Sequence, residues 1–90
     1  MFVSFTDWEF DGNVDDAVEA AKGFWPAMKK HGATNLRMTV TGDKTLRTMT
    51  IWSSEEKLKA NIDEVRAAAA SAAGMTTTGG SMGALAVELD

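Results

Sequence analysis

The segment from Leu36 to Trp52 reads Leu-Arg-Met-Thr-Val-Thr-Gly-Asp-Lys-Thr-Leu-Arg-Thr-Met-Thr-Ile-Trp. It alternates, and it is rich in β-branched residues on both sides of Gly42-Asp43-Lys44. That pattern predicts a β-hairpin, with strands over Leu36–Thr41 and Leu46–Trp52 joined by a turn at residues 42–44. Directly after it come Ser53-Ser54-Glu55-Glu56. A serine followed three residues later by glutamate is a capping box, so Ser53 and Glu56 predict a helix start. Leu58, Ile62, Val65, Ala69 and Ala72 then form one apolar stripe that ends at Gly74.

Upstream, Phe2–Phe10 alternates and reads as a strand, broken by Asp11-Gly12-Asn13. Asn13 is a good N-cap, and Asp15 and Asp16 suit the positive end of a helix dipole. The helix is expected over Val14–His31, with Val14, Val18, Ala21, Trp25 and Met28 on one stripe. Pro26 removes one backbone bond, so a kink or break is expected around residues 22–25. Downstream, Met75–Gly83 reads as a Thr/Gly/Ser loop and Ala84–Leu89 as a last strand. Residues 1–90 therefore form a single domain of order β-α-β-β-α-β. This α+β arrangement is a ferredoxin-like sandwich, a four-stranded antiparallel sheet with both helices on one face.

Alternation also divides the sheet into faces. The more apolar set, with Val3, Phe5, Leu36, Met38, Met49 and Ile51, is expected under the helices. The other set holds Ser4, Thr6, Trp8, Arg37, Thr39, Thr48, Thr50 and Trp52. It lacks lysine and carries two tryptophans, a poor surface to leave in water. A domain of 90 residues has a small core, and with no cysteine no disulfide can reinforce it. A homodimer through the face of Trp8, Thr39, Thr50 and Trp52 would supply the missing burial. The plainer alternative is a solvated sheet face.

The net charge is −4, which disfavours nucleic acid and anionic membrane surfaces as partners. No apolar run is long enough to span a membrane, and the first residues do not read as a signal peptide, so a cytoplasmic protein is expected. With no cysteine and one histidine, neither a thiolate nor a multi-histidine metal site is available. Asp7, Glu9 and Asp11 alternate faces and do not converge on a metal.

Five residues stand out as candidate ligand contacts. His31 is the single histidine, the side-chain type most often used for acid–base work, although a basic residue also simply closes a helix. Asn61 is polar beside an apolar stripe and needs a partner. Trp25 lies next to Pro26, where a kinked helix would open a cavity. Arg37 could hold a carboxylate or pair with Glu88. Trp52 reads as a packing or interface aromatic, and secondarily as a stacking platform. No catalytic set emerges from these residues.

The junction Thr50-Ile51-Trp52-Ser53-Ser54-Glu55-Glu56-Lys57-Leu58, set in this element order, resembles antibiotic-biosynthesis-monooxygenase-like domains of the dimeric α+β barrel superfamily. The resemblance implies back-to-back sheet dimers. It also implies a pocket between sheet and helices that binds, or oxidises without cofactor, a small aromatic or polyketide-like molecule. The haem-degrading branch is disfavoured, because the first strand lacks Asn and the second helix lacks Trp and His. The alternative is a non-catalytic small-molecule-binding or structural dimerisation domain.

Overall fold

A computed structural model describes residues 1–89. The elements are β1 (Phe2–Glu9), α1 (Val14–Lys30), β2 (Ala33–Gly42), β3 (Thr45–Trp52), α2 (Glu55–Ala73) and β4 (Thr76–Ala84). The strands form one antiparallel sheet in the order β2-β3-β1-β4. This is the predicted β-α-β-β-α-β arrangement.

Local chemistry sets the helix ends. The Asn13 side chain accepts from the Asp16 amide at 3.1 Å and starts α1. That helix runs unbroken through Pro26, so the expected break is absent. The cap of α2 is Ser54, which accepts from the Lys57 amide at 3.2 Å, one residue later than the capping-box reading of Ser53. Gly74 closes α2 at φ +63°, a left-handed conformation natural to glycine.

The last strand differs from the expectation. The Thr/Gly/Ser stretch, read as a loop, is β4 itself, and Leu85–Leu89 has no regular structure. Intrinsic preference argued against glycines in a strand, but β1 needs a partner along its free side. β4 supplies it from Thr76 opposite Glu9 to Ala84 opposite Phe2.

The faces of β1 and β3 are reversed from the expectation, whereas Leu36 and Met38 of β2 lie under the helices as expected. Register places Ser4 opposite Thr50, Thr6 opposite Thr48, Leu36 opposite Thr50 and Met38 opposite Thr48. These residues lie together on the helix side. Trp8, Thr50 and Trp52, expected at a dimer interface, are buried beneath the helices, and Trp52 is 0% exposed. Of the four expected interface residues only Thr39 shares the far face, opposite Arg47. Each strand's alternation gives two sets of residues, but only the cross-strand register decides which sets combine. The polar atoms are tolerated inside because they are paired. Trp52 Nε1 donates to Ser4 Oγ at 3.0 Å, and Trp8 Nε1 donates to Thr48 Oγ1 at 3.0 Å.

The core has two ends. Trp8, Phe10, Ala17, Leu46 and Met75 fill one, and Met28, Ala33, Trp52, Leu58 and Ile62 fill the other. On the far side of the sheet, Val3 pairs with Ile51 and Phe5 with Met49. Beside this apolar strip Arg47 Nε donates to Asp7 Oδ1 at 2.7 Å. That bond, with a smaller contribution from the charge of Arg47, holds the Asp7 carboxyl below its ordinary range, and the opposing desolvation is weaker than the bond but larger than the charge contribution.

The folded-state value of Asp7 is lowered, so its stabilising contribution is present above the unfolded value and lost as pH falls through the folded one. A carboxyl-detected NMR titration should place Asp7 below an ordinary aspartate. Arg47→Met should return it upward, with only a small change in stability because the pair is exposed.

Candidate functional site

At the centre of the sheet, the directly opposed pairs Ser4–Thr50 and Thr6–Thr48 form a square of small hydroxyl residues on the helix side. Above them α1 presents Ala17, Ala20 and Ala21, and α2 presents Ala69 and Ala73. Small side chains face small side chains, so the layers do not fill the space between them. The result is a cavity of about 60 Å³. Its walls include Trp8, Phe24, Met28, Met38, Ile62 and Met75. The two core clusters lie at its ends.

One charged group enters this space. Arg66, half-buried on α2, donates from Nε to Thr6 Oγ1 at 3.0 Å and from Nη2 to the Phe5 carbonyl at 3.2 Å. Its seat depends on Gly80 in β4. A Cβ at Gly80 would stand 2.6 Å from Arg66 Nη2 and 3.1 Å from its Cζ.

The five residues singled out from the sequence lie elsewhere, and none of them lines this cavity. Trp52 is in the core. His31 caps α1, its amide donating to the Ala27 and Met28 carbonyls. Asn61 Nδ2 donates to the Lys57 carbonyl at 2.8 Å and to the His31 carbonyl at 3.4 Å, which ties α2 to the end of α1. The structure thus brings His31 and Asn61 together through backbone contacts. Trp25 and Arg37 meet along a separate groove between α1 and the edge strand β2, together with Lys22 and Asn35. Lys29 Nζ lies 5.8 Å from the centre of the Trp25 ring. Arg37 Nη1 donates to the Leu36 carbonyl at 3.0 Å, and no Arg37–Glu88 ion pair forms among the described residues.

The groove is the larger space, about 400 Å³, but it lies open to solvent. A ligand there would stay partly wet. The smaller cavity is more enclosed, apolar on its walls and polar at a few converging points, which is the usual build of a small-molecule site. Sequence reasoning missed Arg66. The available signal was its position: it follows Ile62 by four residues and precedes Ala69 by three, so a cation sits on the inward stripe of α2.

No family model matches the chain, and no curated protein does. Solved structures do. A monooxygenase, ActVA-Orf6 of Streptomyces coelicolor in complex with nanaomycin D, aligns at TM-score 0.62 and 19% identity, over 99% of this chain and 92% of that one. SnoaB, a cofactor-independent oxygenase from Streptomyces nogalater, aligns at TM-score 0.69 and 9% identity, over 98% of this chain and 96% of that one. A dimeric ferredoxin-like protein from an uncultured marine organism aligns at TM-score 0.63 and 10% identity, over 100% and 99%. The chain has the fold of the antibiotic-biosynthesis-monooxygenase-like proteins. At these identities the likeness extends to the fold alone.

The hydroxyl floor can be tested directly. Thr48→Val keeps the shape but leaves the Trp8 N–H without its acceptor. We expect a loss of about 1–3 kcal/mol in urea unfolding and a change in Trp8 emission.

Proposed function

We propose that the chain binds a small, mostly apolar ring compound in the cavity between sheet and helices, and that it acts as a homodimer through the far face of the sheet. The observation that carries the first part is the cavity itself, a partly enclosed and mostly apolar space over a hydroxyl floor. Met28, Met38 and Met75 in its walls have flexible, polarisable side chains that can repack around a guest. The ligand-bound ActVA-Orf6 structure supports the same kind of occupant.

Binding, rather than oxidation, is the reading the side chains favour. The chain has no tyrosine and no cysteine, and its single histidine caps α1 away from the cavity. The cavity lining therefore offers no side chain of ordinary basicity to take a proton from a substrate. Ligand exclusion from water and alignment over the floor are what these residues can do.

The dimer rests on the strip of Val3, Phe5, Met49 and Ile51 on the face without helices. Val3 and Ile51 are already buried within the chain, so pairing with a second copy would cover what remains exposed of the half-buried Phe5 and Met49. The dimeric ferredoxin-like neighbour supports self-association of this fold.

Both parts have direct tests. Toluene should raise the melting temperature of the protein, with about 2.7 kcal/mol of stabilisation at one hundred times its dissociation constant. Ala69→Phe, which fills the cavity, should abolish that shift; a shift of equal size in the filled variant would refute the site. Sedimentation equilibrium should give twice the chain mass. Phe5→Glu should return the protein to a monomer, and a wild-type monomer at every concentration would refute the interface.

A further inference from the structure

We propose that the cavity is selective for a ring carrying one carboxylate, held by Arg66 with the hydroxyls of Thr6 and Thr48. The proposal rests on the cavity being a ligand site and adds the chemical class it takes.

The first argument is the unmatched charge. A guanidinium carries five N–H donors. Two of those of Arg66 go to neutral acceptors, Thr6 Oγ1 and the Phe5 carbonyl. The ion pairs among the described residues are Lys22–Glu19, Arg47–Asp7 and Lys59–Glu55, and none includes Arg66. A half-buried cation with neutral partners is well placed to gain from an anion, since both charges are then paired away from bulk water.

The second argument is the polarity of the floor. Ser4, Thr6 and Thr48 each accept a bond from an N–H group, on Trp52, Arg66 and Trp8 respectively. A hydroxyl that accepts in this way still has its own hydrogen to give. No described hydrogen bond uses the hydroxyl hydrogens of Thr6 or Thr48, and both residues line the cavity with Arg66. Arg66 offers donors only, and the hydroxyls of Ser4, Thr6, Thr48 and Thr50 that line the space can each donate as well. A charged group that accepts without donating, as a carboxylate does, complements the guanidinium best. The apolar walls of Trp8, Phe24 and the methionines take the ring.

The third argument is Gly80. Its φ is not positive, so its backbone conformation does not require glycine. A methyl group there would instead meet the Arg66 guanidinium, which would have to move from its seat. A residue in the neighbouring strand thus leaves room for the cation at this point.

The test compares benzoate with benzamide, which match in shape but differ in charge and donors, by calorimetric titration of the wild-type protein, Arg66→Met, Arg66→Lys and Gly80→Ala. Benzoate should bind the wild type roughly tenfold or more tighter than benzamide. Arg66→Met should erase the preference, and Arg66→Lys should keep part of it. Gly80→Ala should weaken it while retaining Arg66, which keeps the test valid if Arg66→Met fails to fold. Equal affinities in the wild type, or a preference that survives Arg66→Met, would overturn the proposal. Toluene binding to the wild type separates the two readings. If toluene binds without a benzoate preference, the carboxylate assignment fails and the cavity reading stands. If toluene and both probes fail to bind, both readings fail.

Discussion

Two indole N–H groups buried between sheet and helices must each find an acceptor, and the centre of this structure follows from how they do so. An unpaired buried donor costs about 1–3 kcal/mol, a large share of the stability of a small domain. Trp52 stands opposite Phe2 and reaches Ser4, two residues along β1. Trp8 stands opposite Leu46 and reaches Thr48, two residues along β3. Both are diagonal cross-strand contacts between the central strands, within the reach of a long aromatic side chain. A slip of one residue in the β1–β3 register would turn the side chains of one strand to the face opposite those of the other and leave both donors unmatched.

That pairing places small hydroxyl residues at the middle of the sheet. Over them lie the alanines of α1 and α2, and the cavity is the space that neither layer fills. The tryptophans sit at opposite ends, one in each core cluster, so the protein is well packed at its ends and open at its centre. Arg66 then enters above Thr6 because Gly80 leaves it room. Stability and binding capacity share the same atoms. The hydroxyls that satisfy the indoles also form the polar floor presented to a guest.

Much of this organisation was legible in the chain. The alternation of Leu36–Trp52, the α2 stripe through Leu58, Ile62, Val65 and Ala69, the Asn13 cap and the Gly74 stop are local signals that survive into the structure. The expected α1 stripe does not, because Val14 and Val18 are exposed and Ala17 and Phe24 turn inward with Met28 instead. Other features were not legible, for identifiable reasons. Ser53 and Ser54 are both capable caps, and backbone geometry chose between them. The glycines of β4 have poor strand preference, and only the free side of β1 made a strand of them. Placing the apolar set of Val3 and Phe5 under the helices followed the usual rule, but it counted side-chain types without their hydrogen bonds. The candidate ligand contacts failed to converge because rarity in the sequence, as with His31, says nothing about which space a side chain enters.

The sequence by itself determined the order of the elements, the Asn13 start of α1, the Gly74 stop of α2, and the narrow range of chemistry open to a chain with one histidine and no cysteine or tyrosine. These depend on neighbours within a few residues and on simple counts. Tertiary structure alone decided which face of the sheet meets the helices, where the unfilled space lies, and that Arg66 lies against Thr6 from sixty residues away. Each of those depends on strand register and on the packing of layers distant in sequence, and no local pattern encodes either one.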